Sequence, residues 1–450
     1  MFDALFTTTT EYKKLSHALS GKGACALFGL PASGRAQVYA ALCRQLDKPL
    51  CIVTPGEAEA TRFAADLNTL GIPAAVFPAR DYVLRPIEGT AREYEYRRLA
   101  VLGELVGGRL RAVAVPAEAL TQFTTPKEDF CANTRTLHAG DTLLRDDLLA
   151  ALFGAGYTRR AQVDGPGQFS VRGDIVDIFA PDQKMPVRME FWGDEIDTLH
   201  TFDLTTQRRE DAIDKFYLSP AREVLFGKPA DAAEQLRAFL AKQRGKKKTA
   251  MADCMAADLD LLDGGAVPVN MDKYLAVRYP HPATVLDYFD DPILVAEEPA
   301  SIREADRATA YRRGEELKSL ILDGVLCAGL DNLYADPSYL WSKTGHYRTI
   351  CAENFARSMP DQPLKDIVNA PAHTLPAWNG EVAGLLEDLK PLCDAGYTVT
   401  LLAGTDRAAA GLARDLRDKG ILVTTDAAAA PAAGLVQVLA GHLSAGCEFP

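Results

Sequence analysis

The first third of the chain alternates short apolar runs with longer segments in which apolar residues recur every three or four positions. The runs predict strands at 24–28, 50–54, 74–77 and 110–115, and the periodic segments predict helices at 37–46, 57–70 and 92–106. Strands separated by helices of this length are typical of a parallel sheet. We therefore expect an α/β domain here.

The pattern changes near residue 126, where closely spaced strand-like segments replace the alternation. A predicted helix at 143–153 precedes predicted strands at 157–162, 168–172, 175–179, 186–192 and 195–202. Turn residues separate them at Gly165-Pro166-Gly167, Pro181-Asp182 and Gly193-Asp194. This segment predicts an antiparallel α+β unit.

Helix and strand alternation returns from about residue 216. The predicted elements are a strand at 293–296, helices at 302–322, 380–395 and 408–419, and strands at 398–403 and 421–424; the Ala/Pro-rich stretch 427–433 predicts a loop. We expect an α/β fold in three parts. Residues 1–125 and 216–360 form a parallel-sheet domain, 126–215 an inserted antiparallel α+β domain, and 361–450 a small α/β domain.

Charge and cysteine usage exclude several classes of function. The net charge of −12 over 450 residues argues against broad, non-specific nucleic-acid binding, which needs a positive field. The basic run at 244–248 predicts a solvated loop. The nine cysteines form no C-x-x-C pair, so neither zinc nor a disulfide framework is indicated. No apolar run could span a bilayer and no signal peptide is present, which predicts a cytoplasmic protein without a membrane partner.

One loop has the spacing of a phosphate-binding loop without its chemistry. The motif G-x-x-x-x-G-K-[ST] is matched by Gly29 and Gly34, between a predicted strand and a predicted helix. Arg35 stands in place of the lysine, and Ala36 in place of the hydroxyl residue that holds magnesium. An arginine fork does not replace a compact ammonium, and alanine ligates no metal. We expect both glycines to curve the loop, and we expect no ATP binding.

An acidic pair stands where such a site would hold its second half. Glu297 and Glu298 end the apolar run 293–296, the position at which carboxylates hold magnesium and orient water in nucleotide-hydrolysing proteins. Taken alone, the two glutamates fit two solvated residues that open the next loop better than they fit a metal site.

Two stretches of the middle segment have a specific resemblance to known proteins. Residues 165–179 read GPGQFSVRGDIVDIF and residues 186–196 read PVRMEFWGDEI, followed by Phe202-Asp203 and Thr206-Gln207-Arg208. This pattern resembles the second domain shared by UvrB and the transcription-repair coupling factors (Mfd). Residues 77–82 and 93–99 resemble the first domain of the same proteins, so that the resemblance covers most of residues 1–360.

Three departures separate the chain from UvrB and point to the N-terminal half of the coupling factors. Arg35-Ala36 replaces the Lys-Thr of UvrB-like proteins, Glu297-Glu298 replaces an Asp-Glu pair, and residues 81–93 leave no room for a long DNA-gripping hairpin. The resemblance implies a degenerate, helicase-like phosphate-loop domain that recruits UvrA. It assigns RNA polymerase and DNA binding, and the ATP and magnesium of a DNA translocase, to other parts of the longer proteins, and implies no cofactor for this chain.

The resemblance also implies which residues contact UvrA, namely Arg172, Arg188 and Trp192. Strand alternation agrees, since it sends Val187, Met189 and Phe191 to one face and leaves Arg188, Glu190 and Trp192 on the other, and a tryptophan beside an arginine is typical of an interface hot spot. We expect Arg188→Ala or Trp192→Ala to weaken UvrA binding and leave the fold intact. Trp192 could instead border a second small core. Arg172 could pair with Asp174 or Asp177, and Arg188 with Glu190.

Two other functions stay open from sequence. The chain could be a divergent UvrB-like ATPase or helicase fragment that acts on damaged DNA, with Arg35 replacing the lysine. It could also be a structural module that masks other domains of a longer protein. ATP-dependent retention on damaged duplex would favour the first, and a change in the ATPase rate of the longer protein on removal of this region would favour the second.

Overall fold

A computed structural model of the protein describes residues 6–87, 91–359, 362–375, 382–430 and 432–449. The strands are β1 Gly23–Phe28, β2 Leu50–Thr54, β3 Ala74–Val76, β4 Ala112–Pro116, β5 Arg135–His138, β6 Thr158–Arg159, β7 Gln168–Arg172, β8 Ile175–Phe179, β9 Val187–Trp192, β10 Glu195–Phe202, β11 Arg209–Ala212, β12 Lys215–Leu218, β13 Ile293–Glu297, β14 Arg348–Glu353, β15 Leu364–Asn369, β16 His373–Leu375, β17 Val399–Leu402, β18 Val423–Thr424, β19 Val436–Leu439 and β20 Gly446–Glu448.

The α-helices are α1 Thr10–Ala18, α2 Ala32–Leu46, α3 Glu57–Thr69, α4 Glu93–Val106, α5 Ala117–Leu120, α6 Lys127–Ala132, α7 Arg145–Gly154, α8 Pro229–Ala241, α9 Gly245–Asp263, α10 Leu275–Arg278, α11 Pro299–Leu322, α12 Tyr339–Lys343, α13 Val382–Asp394 and α14 Asp406–Asp418. Short 3-10 helices occur at Met271–Tyr274 and Val285–Tyr288.

The largest sheet is parallel and confirms the predicted α/β fold. Its strand order is β15-β1-β14-β13-β2-β4-β3. Every residue of β2, β4 and β13 is buried, because helices cover both faces of the sheet and leave no face for polar residues. One layer includes α2 and α3, whose Tyr39 and Leu67 pack with Ile52 and Val295 of the sheet. The opposite layer includes α4 and Ile302 of α11.

The second sheet holds the predicted antiparallel unit. Its order is β11-β10-β9-β8-β7-β6, antiparallel throughout except for the short β6–β7 pair. The inner face packs on α7, where Leu148 and Leu152 meet Phe169, Met189 and Phe191. Strand β5 pairs with β12, so that both ends of this unit lie side by side. The chain therefore returns to the large sheet close to the point at which it left that sheet.

A helical cluster was missed in the sequence. The described chain between β12 and β13 contains helices and no strand, whereas alternating helices and strands were predicted there. Helices α8 and α9 pack together around Leu236, Met251 and Met255. The basic run predicted as a loop begins α9 instead, with Lys246, Lys247 and Lys248 exposed in its first turn.

The predicted boundary at residue 361 does not separate two sheets. Strand β15 lies beyond that boundary and pairs with β1 at the edge of the large sheet. The small parallel sheet β17-β19-β18, with α13 and α14, forms a core of its own around Leu385, Leu412 and Val436. The first residues of the predicted helix 380–395 lie outside the described residues. Within the described part of the chain, every helix is too short or too polar to cross a bilayer.

A buried ionic network joins the antiparallel unit to the large sheet. Glu223, just after β12, accepts from Arg98 at 2.6 Å and lies 3.2 Å from Arg80, which also binds Asp272 at 2.7 Å. The backbone N–H of Glu223 donates to Glu95 at 3.0 Å. All of these groups are buried. Because a buried charge that loses its partner costs several kcal/mol, roughly 3–5, this network favours one orientation of the two units.

Candidate functional site

The loop that resembles a phosphate-binding loop is shorter than its sequence suggests. Helix α2 already begins at Ala32, so that Ser33, Gly34 and Arg35 form its first turn instead of the loop. Gly29 does curve the backbone, with a φ of 89° that favours glycine. The expected loop role of Gly34 is therefore wrong, and its lack of a side chain serves a close contact described below.

Arg35 is bound to both members of the acidic pair. Its guanidinium lies 3.0 Å from Glu297 and 2.9 Å from Glu298, and its side chain is 5% exposed. The Tyr39 hydroxyl, one turn further along α2, donates to Glu297. Strand β13 ends beside the start of α2, which brings the motif's two halves together as the carboxyl ends of parallel strands allow. The arginine charge is thus matched internally by two carboxylates.

The environment of this ion pair changes its proton affinities. Burial opposes the charge on Arg35, but Glu297, Tyr39 and Glu298 raise the pKa of Arg35 above its ordinary value. Burial raises the pKa of Glu297, against the opposing influence of Arg35 and of the Tyr39 hydrogen bond. Glu298 has a left-handed backbone, with a φ of 53°, and its carboxylate also accepts from the Asn354 N–H at 3.1 Å. Both glutamates are therefore held by the protein's own donors.

The C-terminal segment covers the start of α2. A β-carbon on Gly34 would lie 2.8 Å from the sulfur of Cys447 in β20, so that only glycine fits without a shift. Phe449 stacks on Phe6 with 5.4 Å between ring centroids. The backbone N–H and hydroxyl of Ser444 donate to Asp66 at 2.8 and 2.6 Å, which ties the segment to α3.

These residues do not fit a magnesium nucleotide. Ala36 is fully buried and has no hydroxyl, while Arg35 is occupied by the carboxylates that would otherwise approach a metal. Strand β20 lies against the first turn of α2, and beside the loop oxygens of Asn369 and Ala370 would lie 3.0 and 3.1 Å from a β-carbon on Gly29. In the described ranges, no group of three or more His, Cys, Asp or Glu side chains could hold a metal ion.

The outer face of the antiparallel sheet offers a different kind of site. Burial alternates along β9, where Val187, Met189 and Phe191 are buried while Trp192 is 82% exposed. Trp192 pairs with Glu195 at the β9–β10 turn. A tryptophan on a paired strand loses little conformational entropy on binding and offers a large apolar area, the usual properties of an interface anchor.

The two arginines of this face converge on one carboxylate. Arg188 donates to both oxygens of Asp177, at 2.7 and 2.9 Å, and Arg172 donates to the same group at 2.7 Å. Asp177 is 1% exposed, the Arg188 side chain 11% and the Arg172 side chain 49%. The hydrogen bonds to Asp177 raise the pKa of Arg188.

The predicted alternative pairing of Arg188 with Glu190 does not occur. Glu190 binds Arg209 of β11, and Arg188 lies over the ring of Phe202 at 4.8 Å from its centroid. Phe202 belongs to a small second core with Val163 and Phe179. Arg188 is therefore largely enclosed, whereas Arg172 and Trp192 face solvent.

Of the two partners that the sequence offered for Arg172, the structure shows Asp177. The bonds from Arg188 to Asp177 were not predicted, and Arg209 was missed in the sequence. Asp177 had a detectable signal, because it is a single charge within the otherwise apolar run Ile175–Phe179, where an unpaired carboxylate would be costly. Arg209 had none, since its strand was not predicted and all four of its residues are exposed.

Comparison with known proteins gives one family model that this region matches. Residues 136–224, which run from β5 past β12, match the family model of the UvrB interaction domain. We refer to residues 136–224 by the name of this matched domain, the UvrB interaction domain. These residues include the outer sheet face with Trp192, Asp177 with its two arginines, and Glu223 of the buried ionic network that joins the antiparallel unit to the large sheet.

The relatives that align over most of the chain are transcription-repair-coupling factors, in agreement with the predicted resemblance. The chain is 26% identical over 436 residues to a transcription-repair-coupling factor of Bacillus subtilis (strain 168). The aligned region covers 94% of this chain and 37% of the relative. Transcription-repair-coupling factors of Staphylococcus haemolyticus and Staphylococcus aureus (strain MRSA252) are 24% and 23% identical, each over 94% of this chain and over 36% and 37% of the relative. The predicted resemblance to the N-terminal region of these factors is confirmed. The chain spans about a third of the length of these relatives.

Proposed function

We propose that the chain is a non-catalytic adaptor that recruits UvrA through the outer face of its UvrB interaction domain, with Trp192 as the anchor. The observation that carries this proposal is the 82% exposure of Trp192 on a paired strand within that domain. Large aromatic side chains are costly to leave in water, and tryptophan and arginine are enriched among the residues that dominate binding at interfaces.

The charged residues around Trp192 define the chemistry of this surface. Arg172 presents a half-exposed guanidinium, with one contact to Asp177 and further donors free to reach a partner's carboxylates. Arg209 and Glu190 form a partly exposed pair across the sheet from it. We assign Arg172 and Trp192 to direct contact with UvrA, and Arg188 to holding Asp177 and the sheet in place.

The large parallel sheet has a supporting role in this proposal. Arg35 is paired with both Glu297 and Glu298, and β20 lies against the first turn of α2, so that we propose no nucleotide or metal cofactor for this chain. In a longer coupling factor, RNA polymerase and DNA contacts and an ATP-driven translocase would belong to other regions. The adaptor would then link RNA polymerase stalled at a lesion to nucleotide excision repair.

Co-elution with purified UvrA in size-exclusion chromatography tests this proposal. The wild-type chain is expected to co-elute with UvrA without added nucleotide, and the Trp192→Ala variant is expected to elute separately. A chain that binds damaged duplex in an ATP-dependent manner and does not co-elute with UvrA would instead support the ATPase alternative.

A further inference from the structure

Two cysteines far apart in the chain meet in the helical cluster. Cys254 lies on α9 and is partly exposed, and Cys327 is 8% exposed in the irregular segment between α11 and α12. Side chains of the same face of α9 pack along this segment, since Lys247 and Met251 come within 3.2 and 3.4 Å of a β-carbon placed on Gly329. Cys254 continues that face, and its thiol donates to the Val325 carbonyl at 3.2 Å.

The two cysteines share one core cluster, in which Cys327 is buried with Met251 and Met255 while Cys254 packs against it and contacts Val325, two residues before Cys327. When Cys254 loses its proton, the Cys327 thiol can donate to the resulting thiolate. Lys273 lies on the other side, with its ammonium 3.2 Å from the Cys254 carbonyl and 2.5 Å from Asp258. The hydrogen bond from Cys327 and the charge of Lys273 lower the pKa of Cys254 to about 7, against burial and against Asp258.

The other thiols of the chain lack this arrangement. All nine cysteines fall within the described residues, and Cys254 is the one whose pKa is lowered. Burial raises the pKa of Cys25, Cys51, Cys351 and Cys447 to about 12. Cys131 is exposed but has no such contact to a second thiol. A thiolate with a neighbouring thiol is the arrangement that peroxide oxidation requires for a disulfide.

We propose that Cys254 and Cys327 are a modification site, at which hydrogen peroxide oxidises the two thiols to a reversible disulfide between α9 and the segment after α11. The Cys254 sulfur attacks one peroxide oxygen, so that an S–O bond forms, the O–O bond breaks, and the departing oxygen takes a proton and leaves as water. The Cys327 sulfur then attacks the Cys254 sulfur, the S–S bond forms, and the S–O oxygen leaves as water with the Cys327 proton. The two thiols lose two electrons and the peroxide gains them.

The position of Cys327 permits this step without unfolding. Cys327 belongs to no helix or strand, and the glycines at 324 and 329 on either side have φ values of 71° and 109°, so that this segment is a turn free of ladder hydrogen bonds. The bond would cross-link two parts of the helical core that contain Met255 and Leu330. The site lies outside the UvrB interaction domain and does not depend on the function proposed for it.

Peptide mapping after oxidation tests the proposal on the full chain. The reduced protein is treated with hydrogen peroxide in small molar excess, alkylated, digested without reductant and analysed by mass spectrometry. We expect a linked peptide pair containing Cys254 and Cys327, which dithiothreitol separates. Before oxidation, Cys254 should react with iodoacetamide at neutral pH about tenfold faster than an ordinary surface thiol such as Cys131.

Two variants give matched controls. Cys131→Ser should leave the linked pair unchanged, because that thiol is remote from the site. Cys327→Ser should abolish the link and leave Cys254 as a sulfenic acid that dimedone captures. The proposal is overturned if peroxide oxidises Cys131 while Cys254 and Cys327 stay unlinked, or if the link forms only between two copies of the chain.

Discussion

Arg188 donates to both carboxylate oxygens of Asp177, at 2.7 and 2.9 Å, across neighbouring strands of the UvrB interaction domain. Both side chains are almost enclosed, with 11% and 1% exposure. An arginine that the sequence presents as a surface contact is therefore, in the fold, a partner for a buried charge. On this sheet face, we therefore expect Arg188 to contribute to stability and Arg172 and Trp192 to contribute to binding.

Arg188→Ala is expected to destabilise the protein. Asp177 would keep only its bond to Arg172 and would lose two of its three arginine hydrogen bonds within a nearly closed site. We expect a loss of roughly 2–4 kcal/mol in the free energy of unfolding, measured by urea denaturation. This replaces the sequence-based expectation that Arg188→Ala leaves the fold intact.

Arg172→Ala is the matched control, since it removes a bond to the same carboxylate from a half-exposed side chain. It should cost about 1 kcal/mol or less. Equal losses in the two variants would show that Arg188 has no special structural role.

Restoring the motif residues should not restore nucleotide binding. In the double variant Arg35→Lys, Ala36→Thr, the loop would still be short, because α2 begins at Ala32, and Cys447 would still lie against Gly34. Equilibrium dialysis with ATP and magnesium is expected to show no binding by the wild type or the variant. Stoichiometric binding by either protein would mean that the internal ion pairs and β20 do not close the site.

The buried ionic network around Glu223 should make the free energy of unfolding depend on pH through Glu95. Burial raises the pKa of this carboxyl, but Arg80, Arg222 and Arg92 lower it to about 2 in the folded protein, from an ordinary value of 4.5. Because the folded pKa is lower, the contribution is fully present above about 4.5 and is lost as the pH falls toward 2. Glu95→Gln should cost roughly 3 kcal/mol at neutral pH, by the size of this shift.

Urea unfolding of wild type and Glu95→Gln between pH 7 and pH 3 checks this dependence. The difference between the two should shrink as the pH falls. Glu93→Gln, an exposed position on the same helix, should give a small difference at every pH. A Glu95→Gln difference that stays constant across the range would argue against a charged Glu95 in the network.

Much of the fold could be predicted from local pattern. The strands of the large sheet at 24–28 and 50–54 are apolar because both of their faces are covered, and the alternation along β9 follows from one buried face. The approach of Arg35 to Glu297 followed from parallel strands that end at one edge. These are short-range regularities, or consequences of a single sheet rule.

Other features depend on contacts that no local pattern encodes. Strand β20 packs on α2 although the two are far apart in sequence. Local pattern predicts Gly34 as a loop glycine, whereas the structure places it in a helix against Cys447. Local pattern likewise predicts an exposed Arg188, whereas Phe202 and the β10–β11 connection cover this side chain. Strand β15 was assigned to another domain because its partner β1 precedes it by most of the chain.

The most direct measurement for the central claim is a calorimetric titration of UvrA into the wild-type chain, the Trp192→Ala variant and the Tyr311→Ala variant. Tyr311 is a matched control, since it is 74% exposed on α11, outside the UvrB interaction domain. The proposal predicts that Trp192→Ala weakens binding by about 2 kcal/mol or more, roughly thirtyfold, with an unchanged urea midpoint, while Tyr311→Ala binds like wild type. Equal affinities for the wild type and Trp192→Ala would contradict it.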